Sequence, residues 1–436
     1  CPPLCKCYSR RAEVVCNEVA LTEYPSGSLQ KNTTMVTIQY TNISSITEDD
    51  LSATPQLREL HLYNNHLRRL SSHLLRGVPQ LHTLDFTENK LSELPEDVFS
   101  HAPLSSLVLK ANRLEKVDAK WFPNNSNLTW LDLSGNLLTR IPASLLQKLS
   151  HLENLDISDN RVDKIPSNVF SPLSKLERLN LQDNKLASLD AATFQSTSKV
   201  LYLFLLQLYH NKLAQVPPDL MKGVPGLNEL DLTGNQLVLL PADVFKHASL
   251  HSLVLKNNQI VEVDPDWFAD NSSLTCLDLS GNRLTDLPAA LCHKLPLLEN
   301  LDLSDNRLQE LHRDAFRSLR HLKILNLGGN RLRFLESSIF TSNLNLSWLF
   351  LQENRLQELP ADLLGGLLRL DLLLLNQNRL QHLPPGFLDI NASFRVILSG
   401  NPWICDEKME YLWRWLTVHP QNVFFREEVM CAGPEA

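Results

Sequence analysis

No stretch of this sequence approaches the ~18–20 consecutive apolar residues of a membrane-spanning helix. The strongest apolar run, Val200 to Leu206, is short enough to be a buried strand. A basic excess is missing too. The 436 residues carry a formal charge of −8, which argues against nucleic acid, whose binders present basic faces. An acidic surface favours basic partners instead, mostly through encounter rate. Catalytic signatures are also lacking: there is no HExxH or GxSxG element and the fourteen histidines are scattered, so neither an enzyme nor a bound metal or cofactor is expected. His61 and His66 flank Tyr63 and read as a polar surface. No basic-then-apolar leader precedes Cys1, so a signal peptide is expected to have been removed.

The eight cysteines crowd the ends: Cys1, Cys5, Cys7 and Cys16 at the front, Cys405 and Cys431 at the back, with only Cys276 and Cys292 between. A zinc site would be expected to show CxxC knuckles, and none is present. Disulfides capping both ends explain the distribution better and imply an oxidising compartment. Spacing alone leaves three connectivities open for the front cluster. Seven Asn-x-Ser/Thr sequons, at Asn32, Asn42, Asn124, Asn127, Asn271, Asn345 and Asn391, point the same way. The last five fall just before a strand of the repeat described next, on one edge, and all seven are expected glycosylation sites.

That repeat is L-x-x-L-x-L-x-x-N-x-L. It reads LRELHLYNNHL from Leu57, LHTLDFTENKL from Leu81, LTWLDLSGNLL from Leu128, LENLDISDNRV from Leu152 and LENLDLSDNRL from Leu298. The asparagine recurs fourteen times from Asn65 to Asn378, almost always 24 residues apart, which is the leucine-rich-repeat signature. A degenerate first turn (Met35, Ile38, Tyr40) and a last one ending at Asn401 make roughly sixteen turns. Alternation along a short strand turns the second and third leucines inward and their neighbours outward. The asparagine amide satisfies backbone groups where the chain turns. Segments such as Leu94–Phe99 then supply apolar residues to the opposite side. The expected fold is an α/β-type solenoid, a horseshoe with a parallel sheet on its concave face. Strands at ~4.8 Å would line an arc of about 75 Å. Three regions follow: a cysteine cap over 1–34, the repeats over 35–398, and a second cap over 399–436. A larger duplication lies inside the repeats. Leu104–Ser134 and Leu250–Ser280 correspond at an offset of 146, sharing LVLK and Trp121/Trp267; six repeats were copied. Where the spacing stretches to 27, between Asn184 and Asn211, the register is least defined and a bulge is expected.

The phrases SGNPWICD (Ser399–Asp406) and CAGPEA (Cys431–Ala436), with LVLKNNQ, LDLSGNRL and LYLFL in the body, resemble the leucine-rich alpha-2-glycoprotein family. The opening CPPLCKCYSRRAEVVCNEVALTEYPSG resembles the front cap of extracellular leucine-rich proteins. Overall the sequence is most similar to the beta-type phospholipase A2 inhibitors of snake serum, with the duplication as the departure. The resemblance implies the pairs Cys1–Cys7, Cys5–Cys16 and Cys405–Cys431. It also implies a glycoprotein of blood plasma that neutralises basic phospholipase A2 by occlusion. Those enzymes bind lipid through an apolar collar edged with cations. Two other functions fit the same resemblance: a carrier or signalling modulator tied to cytochrome c or growth-factor pathways, and a non-catalytic scaffold subunit of a plasma enzyme. The extracellular rear cap commonly carries four cysteines; with two here, the end at Ala436 is expected to be truncated.

Two stripes define the expected binding face. Asp occupies the position between the second and third leucines at Asp85, Asp132, Asp156, Asp231, Asp278 and Asp302, and Lys or Arg follows the asparagine in ten repeats, including Arg161, Arg283, Arg307, Arg331, Arg355 and Arg379. This reads either as an acidic trough with a cationic rim or as generic, solvated wording of the repeat. Less generic are Ile324, Trp348, Phe350, Leu372 and Leu374, five large apolar residues at outward strand positions of three consecutive repeats. Contiguous apolar patches mark interaction sites and aromatics dominate interface energies. The expected occupant is a protein ligand; self-association, or coverage by the rear cap, are the competing readings. Trp130 with Phe204, Leu205 and Tyr209 forms a second candidate patch. Trp121 and Trp267 read as packing residues. Cys276 faces outward and Cys292 lies beyond the core, so the two are not expected to pair, since a disulfide needs Cα atoms within about 7 Å.

Overall fold

The computed structural model describes residues 1–194 and 202–433. The chain divides into two compact units, Cys1–Leu213 with Asp219–Leu227, and Ala214–Pro218 with Asn228–Ala436. Each is a stack of short strands, one per repeat, with turns and one-turn helices returning the chain behind the sheet.

In the first unit Lys6–Tyr8 pairs antiparallel with Glu13–Asn17, which in turn pairs parallel with Met35–Gln39. The disulfides Cys1–Cys7 and Cys5–Cys16 staple this cap. From there every strand is parallel to the next, through Glu59–His61, Thr83–Asp85, Ser106–Val108, Trp130–Asp132, Asn154–Asp156, Arg178–Asn180 and Leu205–Gln207. The central leucine of each three-residue strand of the repeats is buried, and its neighbours lie on the other face, as the alternation requires, with Asn154 itself buried there. One register differs from expectation. In the first turn Val36 and Ile38 are buried and Tyr40 is exposed, so Ile38 is the third inward residue and Thr41 stands where later repeats have asparagine. The reason is visible in the bonding: Asn65 accepts from the Thr41 backbone N–H and donates to the Ile38 carbonyl.

That bonding repeats down the chain. Asn160 donates to the carbonyls of Leu133 and Ile157 and accepts from the Leu138 N–H, all at 3.0–3.1 Å. Each amide thus ties two turns together and leaves no buried backbone group orphaned there. The residue just before the asparagine takes a positive φ. Gly281 adopts it without strain, whereas Ala111 at 57° and Glu353 at 56° do so against the Cβ penalty. At the stretched spacing, Leu205–Gln207 pairs in register with Arg178–Asn180 and no bulge interrupts that ladder. The extra residues fall between Phe194 and Leu206, and Val200 and Leu201 lie outside the described residues, as does the end 434–436.

The second unit runs parallel from Glu229–Asp231 through Ser252–Val254, Cys276–Asp278, Asn300–Asp302, Ile324–Asn326, Trp348–Phe350, Leu372–Leu374 and Arg395–Ile397. Its rear cap is closed by Cys405–Cys431. Trp403 is buried there and donates to the Leu398 carbonyl, and the helix Glu410–Val418 buries Leu412 and Trp415. The cap also supplies a last strand. Val423–Phe424 pairs parallel with Arg395–Ile397, placing Phe424 beside Ile397.

The duplicated segments fold alike. Asp118 and Asp264 cap equivalent one-turn helices. Trp121 packs edge-on to Phe99 at 6.3 Å, and Trp267 to Phe245 at 6.2 Å. Both tryptophans are buried. Cys276 and Cys292 are unpaired; the first is half-buried on its strand and the second buried behind the sheet, where burial pushes its thiol up to about 12.

Candidate protein-binding face

The open face of the second unit changes character along its length. Its early strands carry Glu229, Asp231, Asp278 and Asp302, and Asp278 sits directly opposite Asp302. Like charges in that relation are unfavourable unless something compensates. Each carboxylate also has a structural task. One oxygen of Asp278 accepts from the Ser280 N–H at 2.9 Å and its hydroxyl at 2.6 Å, and Asp302 does the same with Ser304. In the first unit Asp132 holds Ser134, Asp156 holds the Ser158 N–H, and Asp85 holds Thr87. So one oxygen of each fixes the turn after the strand, and the second oxygen of Asp156 also accepts from the Asn180 amide at 3.3 Å. Burial raises Asp85, Asp132 and Asp302 above the ordinary carboxylate range, partly offset by these bonds.

Beyond Asp302 the face becomes apolar. Ile324, Trp348 and Leu372 line up in one row of the sheet, and Phe350 and Leu374 in the next. The Trp348 and Phe350 ring centroids are 6.2 Å apart. Trp348 remains 39% exposed, so the rear cap does not cover it. Instead the second row continues through Ile397 to Phe424 on the cap strand. Ile397 holds the outward position of the last repeat, whereas Phe424 escapes the motif, because VFF carries no leucine pattern and only the cap's pairing brings it to the sheet. Beside the rows, the side-chain oxygens of Gln352 and Asn376 are buried without a donor from the protein. Two cations at the rows are paired, Lys323 with Glu299 at 3.0 Å and Arg395 with Asp371 at 2.8 Å.

The remaining candidates are placed less favourably. Trp130 is 45% exposed, but Asn154 and Arg178 separate it from Leu205 along its row. That is three strand spacings, about 14 Å, so the second patch is not brought together. Phe204 lies under the Arg178 guanidinium, 5.2 Å from its centroid. Arg161, Arg283, Arg307, Arg331, Arg355 and Arg379 follow their asparagines and form no ion pair among the described residues. Glu59, His61 and Tyr63 form a bonded row, Tyr63 Oη to His61 Nδ1 at 2.6 Å and His61 Nε2 to Glu59 at 3.2 Å. Burial, with Asp85 and Glu59, pushes the Tyr63 phenol up to about 12, which suits a donor rather than a nucleophile. Sequons Asn32, Asn42, Asn124, Asn127 and Asn271 are exposed. Asn345 donates to the Arg320 carbonyl, and Asn391 to Leu368 and Leu370.

Stacked parallel strands, an asparagine ladder and capped ends define a leucine-rich-repeat solenoid. The chain belongs to the leucine-rich repeat family, whose model matches residues 55–104, 102–162, 150–206, 248–308 and 296–355, more than half of its length. Among curated relatives, it is 38% identical over 77 residues to a phospholipase A2 inhibitor of Gloydius brevicaudus siniticus, covering 18% of this chain and 23% of the relative. It is 40% identical over 65 residues to phospholipase A2 inhibitor beta of Elaphe climacophora, covering 15% and 19%. The match thus spans about a fifth of each inhibitor. Of solved structures, a leucine-rich repeat protein of Leptospira interrogans superposes with a TM-score of 0.68 at 28% identity, over 78% of this chain and 83% of that one. Among the described residues no helix is long and apolar enough to cross a membrane, and no group of three metal-ligating side chains occurs.

Proposed function

We infer that this chain is a secreted plasma glycoprotein that binds a basic phospholipase A2, or a similarly basic protein, by occlusion on the outward face of its second unit. One observation carries the reading. Five apolar side chains from Ile324 to Leu374 occupy adjacent outward positions, directly after the opposed carboxylates Asp278 and Asp302. An apolar surface rimmed by lysine and arginine matches that sequence of apolar and acidic ground. The partial likeness to two phospholipase A2 inhibitors supports the choice of partner, and catalysis has no part in it. Isothermal titration against a matched basic and acidic phospholipase A2 tests this reading. Stoichiometric binding, tighter for the basic enzyme at low salt, is expected; equal affinity removes the charge argument, and no binding to either removes the partner.

A further inference from the structure

Phe425 stands at φ +53°, the left-handed region, and is 55% exposed. Bulky residues rarely sit there, because Cβ crowds the following carbonyl oxygen. Its backbone carbonyl starts the one-turn helix Arg426–Glu428, accepting from the Glu428 N–H. A glycine would make that turn without strain. The phenylalanine therefore adds strain and an exposed ring to a position whose local task needs neither. Beside it Phe424 is 40% exposed, in row with Ile397, Leu374 and Phe350. The Arg395 guanidinium lies 5.7 Å from the Phe424 centroid and is held by Asp371. The disulfide Cys405–Cys431 and the Asn422 amide, which donates to the Ala392 and Phe394 carbonyls, fix this corner of the cap. Strain and exposed aromatic surface at one rigid point are the marks of a contact site.

We propose that Phe424 and Phe425 of the rear cap are the terminal anchors of the ligand face, so that the bound protein spans from Asp302 across Trp348 and Phe350 onto the cap. The inference rests on the reading above that the occupant is a basic protein with an apolar, cation-edged surface, and extends its footprint beyond the repeats. The opposed carboxylates at one end and the phenylalanine pair at the other give that footprint a polarity: the partner's cations meet Asp278 and Asp302, and its apolar ground meets the cap.

The test uses the full glycosylated chain, a basic phospholipase A2 as probe, and the variants Phe425→Gly, Phe424→Ala and Trp348→Ala. Phe425→Gly is expected to melt at or above the temperature of the parent, because the strain is relieved, yet to bind at least tenfold more weakly. Phe424→Ala should also lose tenfold or more. A Phe425→Gly variant that melts lower and binds normally would make the residue a structural one and overturn the proposal. If Trp348→Ala weakens binding while both cap variants bind normally, the cap falls outside the footprint and only this proposal fails. If no variant changes affinity, the face itself is wrong and both readings fail.

Discussion

Replacing Asn306 by alanine removes one rung of the ladder while leaving every leucine in place. The amide accepts from the Leu284 N–H at 3.0 Å and donates to the carbonyls of Leu279 at 2.9 Å and Leu303 at 3.1 Å, with a third, shared contact to Ser304. All of these lie in the buried turn, so water cannot replace the lost partner. The Leu279 carbonyl keeps a donor in Asn282 and the Leu303 carbonyl one in Asn330, so only the Leu284 N–H is orphaned, at a cost of about 1–3 kcal/mol. Because each repeat leans only on its neighbours, the damage should stay local. Denaturant titration gives the loss of stability, and hydrogen exchange places it. The amides of Leu284 and Arg307 should lose protection first. Asn306→Asp keeps an acceptor for Leu284 but sets a buried carboxylate against the Leu279 and Leu303 carbonyls, and should cost at least as much as alanine at pH 7. A loss below about 1 kcal/mol with unchanged local exchange would refute the claim that the ladder, rather than leucine packing alone, holds the turns.

Further outcomes follow from single groups. Ala111→Gly relieves a positive φ and should stabilise the first unit by several tenths of a kcal/mol to about 1 in denaturant titration; destabilisation would show that the methyl packing matters more. Burial raises the Asp302 carboxyl, so the folded state holds its proton to higher pH than the unfolded chain, and stability falls as pH rises through that window. Asp302→Asn keeps an oxygen for Ser304 and should match or exceed the parent at pH 7, the difference vanishing below the ordinary carboxylate range; a difference growing on acidification would contradict this. Thiol labelling should modify Cys276 slowly in the native protein and Cys292 only after unfolding, since the latter is fully enclosed; two equivalents reacting natively would exclude the described core. Enzymatic deglycosylation should leave ligand affinity within about threefold, roughly 0.6 kcal/mol, whereas a hundredfold loss would place sugar in the interface.

Much of this fold is legible in the sequence because the repeat states its own geometry. The spacing of Asn136, Asn160 and Asn184 sets one strand per 24 residues, and the leucine alternation assigns Leu155 inward and Asp156 outward before any coordinates. Three things are not legible. The first turn lacks the asparagine, so Thr41 takes its place unannounced. The aspartates look like free surface charge, yet one oxygen of each is committed to the serine or threonine two residues on; local turn bonding competes with any ligand for the same atom. The cap strand Val423–Phe424 joins the sheet only through tertiary pairing, which no periodicity encodes. Trp348 and Phe350 stand out in the sequence because they break the polar habit of their position, whereas Phe424 breaks no pattern at all.

Titration of a basic phospholipase A2 into the parent protein and into Trp348→Ala tests the central claim most directly. Leu346, Leu349 and Leu351 fill the core behind the strand, so the melting temperature of the variant should hold. Its affinity should fall by about 2 kcal/mol or more, roughly thirtyfold. An unchanged dissociation constant with a large fall in melting temperature would make Trp348 buried structure rather than a contact, and the binding face assigned to the second unit would be wrong.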